Sequence, residues 1–255
     1  MAPIADFSLQ DRVAIVTGSS RGIGEAIARG FAEQGAHVVI VSRKQEGVDA
    51  VAESIRADGG QATAIACHVG KPDAIAALMD RVESDQGRID VLVNNAATNP
   101  YFGPAVGITE AAFDKTFEVN VRGAFLLAQR AAKSMVKQGG GSIINIASIA
   151  GISPPPLQGV YAMTKASLIM MTKVLAKELG STGVRCNAIA PGLVETQFAS
   201  VLIENPKLLE LFTKQTPLNR HGQPNELVGA AVYLASDASS YTTGAVLPVD
   251  GGYTT

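Results

Sequence analysis

Tyr161 and Lys165 stand four residues apart, a spacing that lays both heads on one face of a helix. A phenolate beside an ammonium is stabilised: an opposite charge at about 4 Å is worth roughly 4 kcal/mol at an effective dielectric near 20. At about 1.4 kcal/mol per pKa unit, that lowers a tyrosine by up to a few units and lets it trade a proton near neutral pH. Upstream, a β-rich run ends at Ser148. A Tyr and a Lys at this spacing also decorate ordinary half-buried helices, so the surrounding elements must decide what the pair does.

Those elements begin with residues 11–17, DRVAIVT, a short β-branched run that reads as a buried parallel strand. GSSRGIGEAIARGFAEQG follows at once, with Gly18, Gly22 and Gly24 opening an amphipathic helix. Glycines at a strand-to-helix junction let the backbone turn tightly and approach a pyrophosphate, whose charge then sits on unpaired amides of the helix N-terminus. The spacing G-x-x-x-G-x-G departs from the common dinucleotide fingerprint, and glycines also serve ordinary helix entry. The next strand, 36–41, ends in Ser42, Arg43 and Lys44, where a dinucleotide fold meets the adenosine ribose. An acid at that point suits the 2′-hydroxyl of NAD, whereas a 2′-phosphate calls for arginine. The chain has Arg43 and no acid there, and Arg21 in the Gly-rich turn is placed to reach the same region. The expected cofactor is therefore NADP(H) in preference to NAD(H).

Helices over 45–58 and 71–86 alternate with strands over 62–69 and 89–93. Such alternation implies right-handed crossovers and an α/β, doubly wound parallel sheet with helices on both faces. Ligands bind at the carboxyl ends of the strands in these sheets, where Asn94, Asn95, Ala96 and Ser148 fall. Asn120 lies inside a long helical stretch, 110–137, although Asn is a modest helix former; it is either solvated or holds a water in a site. The helix carrying Tyr161 extends to 179, and a strand over 183–190 leads to Pro191 and Gly192. Residues 193–222 include FASVLIENPKLLELFTK, apolar and helical in pattern with no role in a sheet. This segment is expected to fold over the substrate as a mobile lid, with a plain surface helix pair as the alternative. A helix over 224–236 and a strand over 245–249 complete the chain.

The 255 residues read as one domain, because no linker or change of composition divides them. Hydrophobic residues make up 47%, enough for an extensive core, yet no apolar run approaches the ~18 residues of a membrane span. Residues 1–12 show neither a signal-peptide nor a transit-peptide pattern, so a cytoplasmic address is expected. Cys67 and Cys186 sit inside apparent strands and read as buried small hydrophobes. A formal net charge of −2 without a basic run gives no electrostatic case for nucleic acid, and three scattered histidines make no metal site.

TGSSRGIG (17–24), NNAA (94–97), Asn120, Ser148, YAMTK (161–165) and APG (190–192) stand in one order along the chain. The ordered set resembles the short-chain dehydrogenase/reductase family over essentially the whole length. SRK (42–44), CHVGK (67–71) and NAATNPYFG (95–103) are similar to its NADP-dependent carbonyl and retinal reductase branch. The resemblance implies a single Rossmann-like domain, a seven-stranded parallel sheet and a homotetramer, with the C-terminal tail in subunit contacts. It implies a tetrad of Asn120, Ser148, Tyr161 and Lys165. Ser148 holds the substrate oxygen and Tyr161 exchanges a proton with it. Lys165 binds the nicotinamide ribose and lowers the Tyr161 pKa, while Asn120 positions a water that links Lys165 to solvent. The cofactor is then held by Gly18, Ser20, Arg21, Gly22, Ile23 and Gly24 in the first turn, and by Ser42, Arg43 and Lys44 after the second strand. His68 and Val69 follow the third strand, Asn94 and Ala96 the fourth, and Pro191, Gly192, Val194 and Thr196 line the nicotinamide end.

Two residues depart from the family pattern: His68 stands where an Asp is common, and Ala97 where a Gly is common. The implied activity is hydride transfer between NADPH and a ketone or aldehyde, reversible as alcohol oxidation. Phe102, Ile152, Pro154, Pro155, Leu157, Phe198 and Leu202 suggest an apolar pocket for a bulky or aromatic substrate. A 3-oxoacyl-carrier-protein reductase shares the fold, tetrad and cofactor but needs a basic surface, and no basic cluster is evident. A non-catalytic NADP(H)-binding regulator is the rival of another class, and it has no evident use for Tyr161 together with Ser148.

Overall fold

The computed structural model describes residues 5–255; residues 1–4, part of the stretch read for a targeting signal, lie outside it. The β-branched runs become β1 (Val13–Thr17), β2 (His37–Ser42), β3 (Gln61–Ala66), β4 (Val91–Asn94), β5 (Gly141–Ile146), β6 (Val184–Pro191) and β7 (Val246–Val249). They form one seven-stranded sheet in the order β3-β2-β1-β4-β5-β6-β7, and every neighbouring pair is parallel. This is the expected doubly wound architecture. Alternate side chains of a strand face opposite sides of a sheet, so Ala14 and Val16 enter one core while Val13 and Ile15 enter the other. The first core is covered by α1 (Gly22–Glu33), α2 (Gln45–Ala57) and α9 (Val228–Ala235). The second is covered by α3 (Pro72–Gln86), α5 (Ala124–Lys137) and α6 (Gly159–Leu179).

The chain runs outward from β1 through β2 to β3, then returns to place β4 on the other side of β1. The reversal opens a crevice beyond the carboxyl ends of β1 and β4, the usual ligand position in such a sheet. Thr17 ties the two ends together. Its hydroxyl accepts the Asn95 and Ala96 amides at 3.0 and 3.1 Å and donates to Val93 O at 3.1 Å.

The stretch expected as one helix over 110–137 is broken. It forms α4 (Glu110–Phe117), a π-helical turn over Glu118–Gly123, and then α5. A π turn carries one extra residue in the helical ladder and recurs at functional sites; Asn120 lies within it. The segment after β6 holds two short helices, α7 (Ser200–Ile203) and α8 (Pro206–Gln215). The start of α8 is set locally: Pro206 takes the first helical position, and Asn205 Oδ1 accepts the Lys207 and Leu208 amides at 3.1 and 3.3 Å. Among the described residues, no helix is long and apolar enough to cross a membrane, and no cluster of His, Cys, Asp or Glu could hold a metal ion.

Candidate active site

The turn between β1 and α1 is bare backbone. Gly18 and Gly22 have φ of +66° and +62°, a region that L side chains avoid. A Cβ at Gly18 would meet Ala96 Cα and Asn95 Nδ2, each at 2.9 Å. Ser19 pins the turn from below, donating to Val16 O at 2.6 Å and accepting the Val41 amide at 2.9 Å. No side chain caps the N-terminus of α1, so its first amides remain available to an anion. Gly24 is buried beneath the turn and lines no cavity; its Cβ would run into Asn95 and the Gly18 carbonyl.

This turn forms one end of a cavity of about 820 Å³. Ser20, Arg21 and Ile23 line it there. At the end of β2, Ser42 and Arg43 line it, with Ser20 Oγ donating to Ser42 Oγ at 3.1 Å. Lys44 lies just before α2 and does not reach the cavity. Arg21 was expected beside Arg43. Its guanidinium instead hydrogen-bonds Gln197 Oε1 in the segment after β6, because the first turn of α1 faces that segment: Thr196 lies against Gly22.

Beyond β3, His68 and Val69 line the same space. His68 Nδ1 accepts the Gly70 amide at 3.0 Å, and Nε2 is 3.3 Å from Lys115 Nζ. Burial first, and the Lys115 charge second, hold its pKa below the ordinary histidine value.

At the far end, Ser148, Tyr161 and Lys165 converge on the cavity. Ser148 follows β5 in extended backbone, and its Oγ accepts the Ala150 amide at 3.1 Å. The hydroxyl proton stays available to another acceptor. A short helical turn, Ile149–Gly151, then packs on α6, where a Cβ at Gly151 would stand 2.7 Å from the Lys165 carbonyl carbon. A glycine is what lets the Ser148 turn approach the helix that carries Tyr161 and Lys165. Lys165 is buried, with Nζ donating to Ile146 O at 2.7 Å and lying 5.5 Å from the centre of the Tyr161 ring. An ammonium has three N–H donors, so further acceptors can be taken.

The expectation that Lys165 lowers the Tyr161 pKa is corrected here. Burial raises the phenol above its ordinary value, and the hydrogen bond with Ser148 pulls it down by less. Burial also lowers Lys165 to about 7. The interior disfavours both charged forms, and a lysine that titrates near neutrality is a weak counter-charge.

Asn120 sits behind this group and lines no cavity. Its Nδ2 donates to Thr98 O at 2.9 Å and to Thr164 Oγ1 at 3.1 Å, while Oδ1 accepts the Thr98 amide at 2.8 Å. Asn94 is likewise buried below the cavity. Its Nδ2 bridges Ala124 O and Asn145 Oδ1 at 3.2 and 3.0 Å, and Oδ1 finds no partner among the described residues. Ala96, Pro191, Gly192, Val194 and Thr196 all line the cavity.

Of the apolar residues expected around a substrate, Phe102, Pro155, Phe198 and Leu202 line the cavity, whereas Ile152, Pro154 and Leu157 do not. Ile152 and Leu157 are exposed, since the 149–158 loop turns outward after the short helical turn. Phe212 and Tyr253, not foreseen, also line it, with ring centroids 5.7 Å apart. Lys115 was missed too. Nothing in sequence marks a lysine whose importance comes from a histidine on another element.

The bare turn, the uncapped helix and the length of the cavity fit a dinucleotide, and the relatives agree. A family model described as enoyl-(acyl carrier protein) reductase matches residues 18–254. The bovine dehydrogenase/reductase SDR family member 4 is 41% identical over 244 residues, covering 96% of this chain and 88% of that protein. The short-chain dehydrogenase/reductase SDRA of Arabidopsis thaliana is 42% identical, covering 96% and 95%. A gluconate 5-dehydrogenase from Burkholderia cenocepacia, solved with NADP and tartrate, superposes with a TM-score of 0.94 at 38% identity over 97% of each chain. The chain belongs to the short-chain dehydrogenase/reductase family and is an NAD(P)-dependent oxidoreductase.

Proposed function

We propose that the chain transfers a hydride between NADPH and a ketone or aldehyde, reversibly an alcohol, using Ser148, Tyr161 and Lys165. The observation that carries this reading is their convergence on a cavity that also holds the glycine turn. When bound, the nicotinamide supplies the hydride at its C4 carbon. Ser148, whose Oγ already accepts from Ala150, donates its proton to the substrate oxygen and holds it. Tyr161, kept protonated by burial, delivers the proton that turns the developing alkoxide into an alcohol. Lys165 takes the nicotinamide ribose hydroxyls with its remaining N–H groups. Asn120 acts as a positioning residue through Thr98 and Thr164. A water relay at Asn120 would use its remaining Oδ1 lone pair or its carbonyl.

NADPH is preferred in this proposal because Arg43 stands at the end of β2 with Ser42 and Ser20 beside it, and because the similar Burkholderia structure holds NADP. Arg43→Asp is expected to move the NADPH/NADH ratio of kcat/KM by about tenfold or more toward NADH, since a carboxylate repels the 2′-phosphate and suits the hydroxyl. An unchanged ratio overturns the preference.

The segment 193–222 serves as the substrate lid, and Phe198, Val201, Leu202 and Phe212 make its inner wall apolar, which suits a bulky or aromatic carbonyl compound. A second reading, an acyl-carrier thioester, follows from the description of the matching family model. NADPH consumption across ketones, aldehydes, dicarbonyls and acyl-carrier thioesters separates the two. Turnover of free carbonyl compounds well above that of the thioesters supports the first; the reverse order replaces it with the second. We extend the proposal to a cytoplasmic homotetramer, because Phe125 on α5 and Met163, Met170 and Val174 on α6 are exposed apolar side chains that a second copy would cover. Light scattering that finds a monomer at micromolar concentration overturns that extension.

A further inference from the structure

His68 is held in a way that leaves a hydrogen-bond donor facing the cavity. The Gly70 amide donates to Nδ1, and a backbone N–H cannot rotate away, so Nδ1 is the unprotonated nitrogen and the ring proton lies on Nε2. That Nε2–H stands 3.3 Å from the Lys115 ammonium, another donor. Neither can accept from the other. Two donors side by side on a cavity wall present a place for one acceptor that the chain does not provide. The lowered pKa of His68 keeps the ring neutral, with a single N–H.

The surroundings select the acceptor. Lys115 is already paired with Glu118 at 2.8 Å, and the Glu118 carboxylate reaches the Gly70 and His68 turn. A phosphate placed there would face that carboxylate, whereas a neutral ring nitrogen would not. Cys67, Val69 and Val119, all buried and all lining the cavity, flank the donors with apolar surface that fits the face of an aromatic base. The end of β3 lies next to the end of β2, where Ser42 and Arg43 mark the ribose, so the adenine comes within reach.

Resting on the dinucleotide reading above, we propose that His68 Nε2–H and Lys115 Nζ form a donor pair that takes a ring nitrogen of the cofactor's adenine. Both are positioning residues for the nucleotide, remote from the reacting atoms. The test titrates NADPH and NADH, by cofactor fluorescence or calorimetry, into the wild type, His68→Phe and Lys115→Met. The KM for reduced nicotinamide mononucleotide, which lacks adenosine, is measured alongside. Each variant is expected to weaken both dinucleotides by a similar factor, about tenfold, and to leave the mononucleotide unchanged. Weakening of NADPH alone assigns the pair to the 2′-phosphate and overturns the proposal. Unchanged binding in both variants also overturns it, as does an equal loss for the mononucleotide, which marks a merely structural role. Should the wild type bind neither dinucleotide, the cofactor reading itself falls, and this inference with it.

Discussion

Tyr161, Thr164, Lys165 and Leu168 are buried in α6, whereas α7 and α8, which line the same cavity, bury no residue at all. The first wall continues the core: β5 and β6 lie behind it, Lys165 Nζ is bonded to a strand carbonyl, and Gly151 lets the Ser148 turn meet the helix backbone. The second wall is held by local devices such as the Asn205 cap and by side chains half open to solvent, Phe198 among them. Groups that move protons need fixed geometry, and packing at interior density supplies it. Groups that choose a substrate need only surround it, and a weakly packed segment is free to open. One wall therefore sets the reaction and the other sets what enters.

The largest test of this contrast is Tyr161→Phe. It removes the phenol and keeps the ring, so the packing against Phe198, with centroids 5.6 Å apart, survives. Turnover of any active carbonyl compound is expected to fall about 10²–10⁴-fold, the usual contribution of a positioned proton donor. The NADPH dissociation constant should stay within about twofold. Comparable turnover in the variant removes Tyr161 from the reaction.

Lys165→Met sharpens the same contrast through stability. Lys165 has a folded pKa of about 7 against 10.5 for an exposed lysine. Between those values the unfolded chain binds the extra proton, so stability rises with pH across that window. Relative to Lys165→Met, the wild type should gain roughly 1 kcal/mol per pH unit between pH 7 and 9, read from denaturant midpoints at each pH. Parallel pH profiles would mean that the ammonium is better solvated than its burial implies.

The sequence makes the first wall legible and the second only in outline. Strand-helix alternation, the glycine turn and the spacing of Tyr161 and Lys165 are local signals, and the fold places them as expected. The π turn at Asn120 is not legible, because the 110–137 stretch keeps a helical pattern through the extra residue. The direction of the Tyr161 pKa is misjudged for a related reason: spacing reveals the neighbouring charge, while burial, the larger effect here, appears only once the sheet is assembled. Arg21 is read from its place in the turn, yet its partner Gln197 comes from a distant segment. Phe212 and Tyr253 meet for reasons of the same kind.

The smallest effect belongs to the second wall. Phe198 is 51% exposed and touches the cavity beside Tyr161, so Phe198→Ala removes an aromatic contact with the substrate and almost nothing from the core. An aromatic pair is worth about 0.5–1.5 kcal/mol beyond its buried area. The KM for an aromatic ketone should then rise by roughly two- to tenfold, with the KM for a small aliphatic aldehyde nearly unchanged. Because the element it leaves is already exposed, Tm should move by no more than about 1 °C, as for most surface substitutions. A drop of several degrees would show that this wall is core as well, and the separation of reaction from substrate choice would not hold. An equal rise in KM for both substrates would show that Phe198 acts on Tyr161 through their ring contact, which would move it from the second wall to the first.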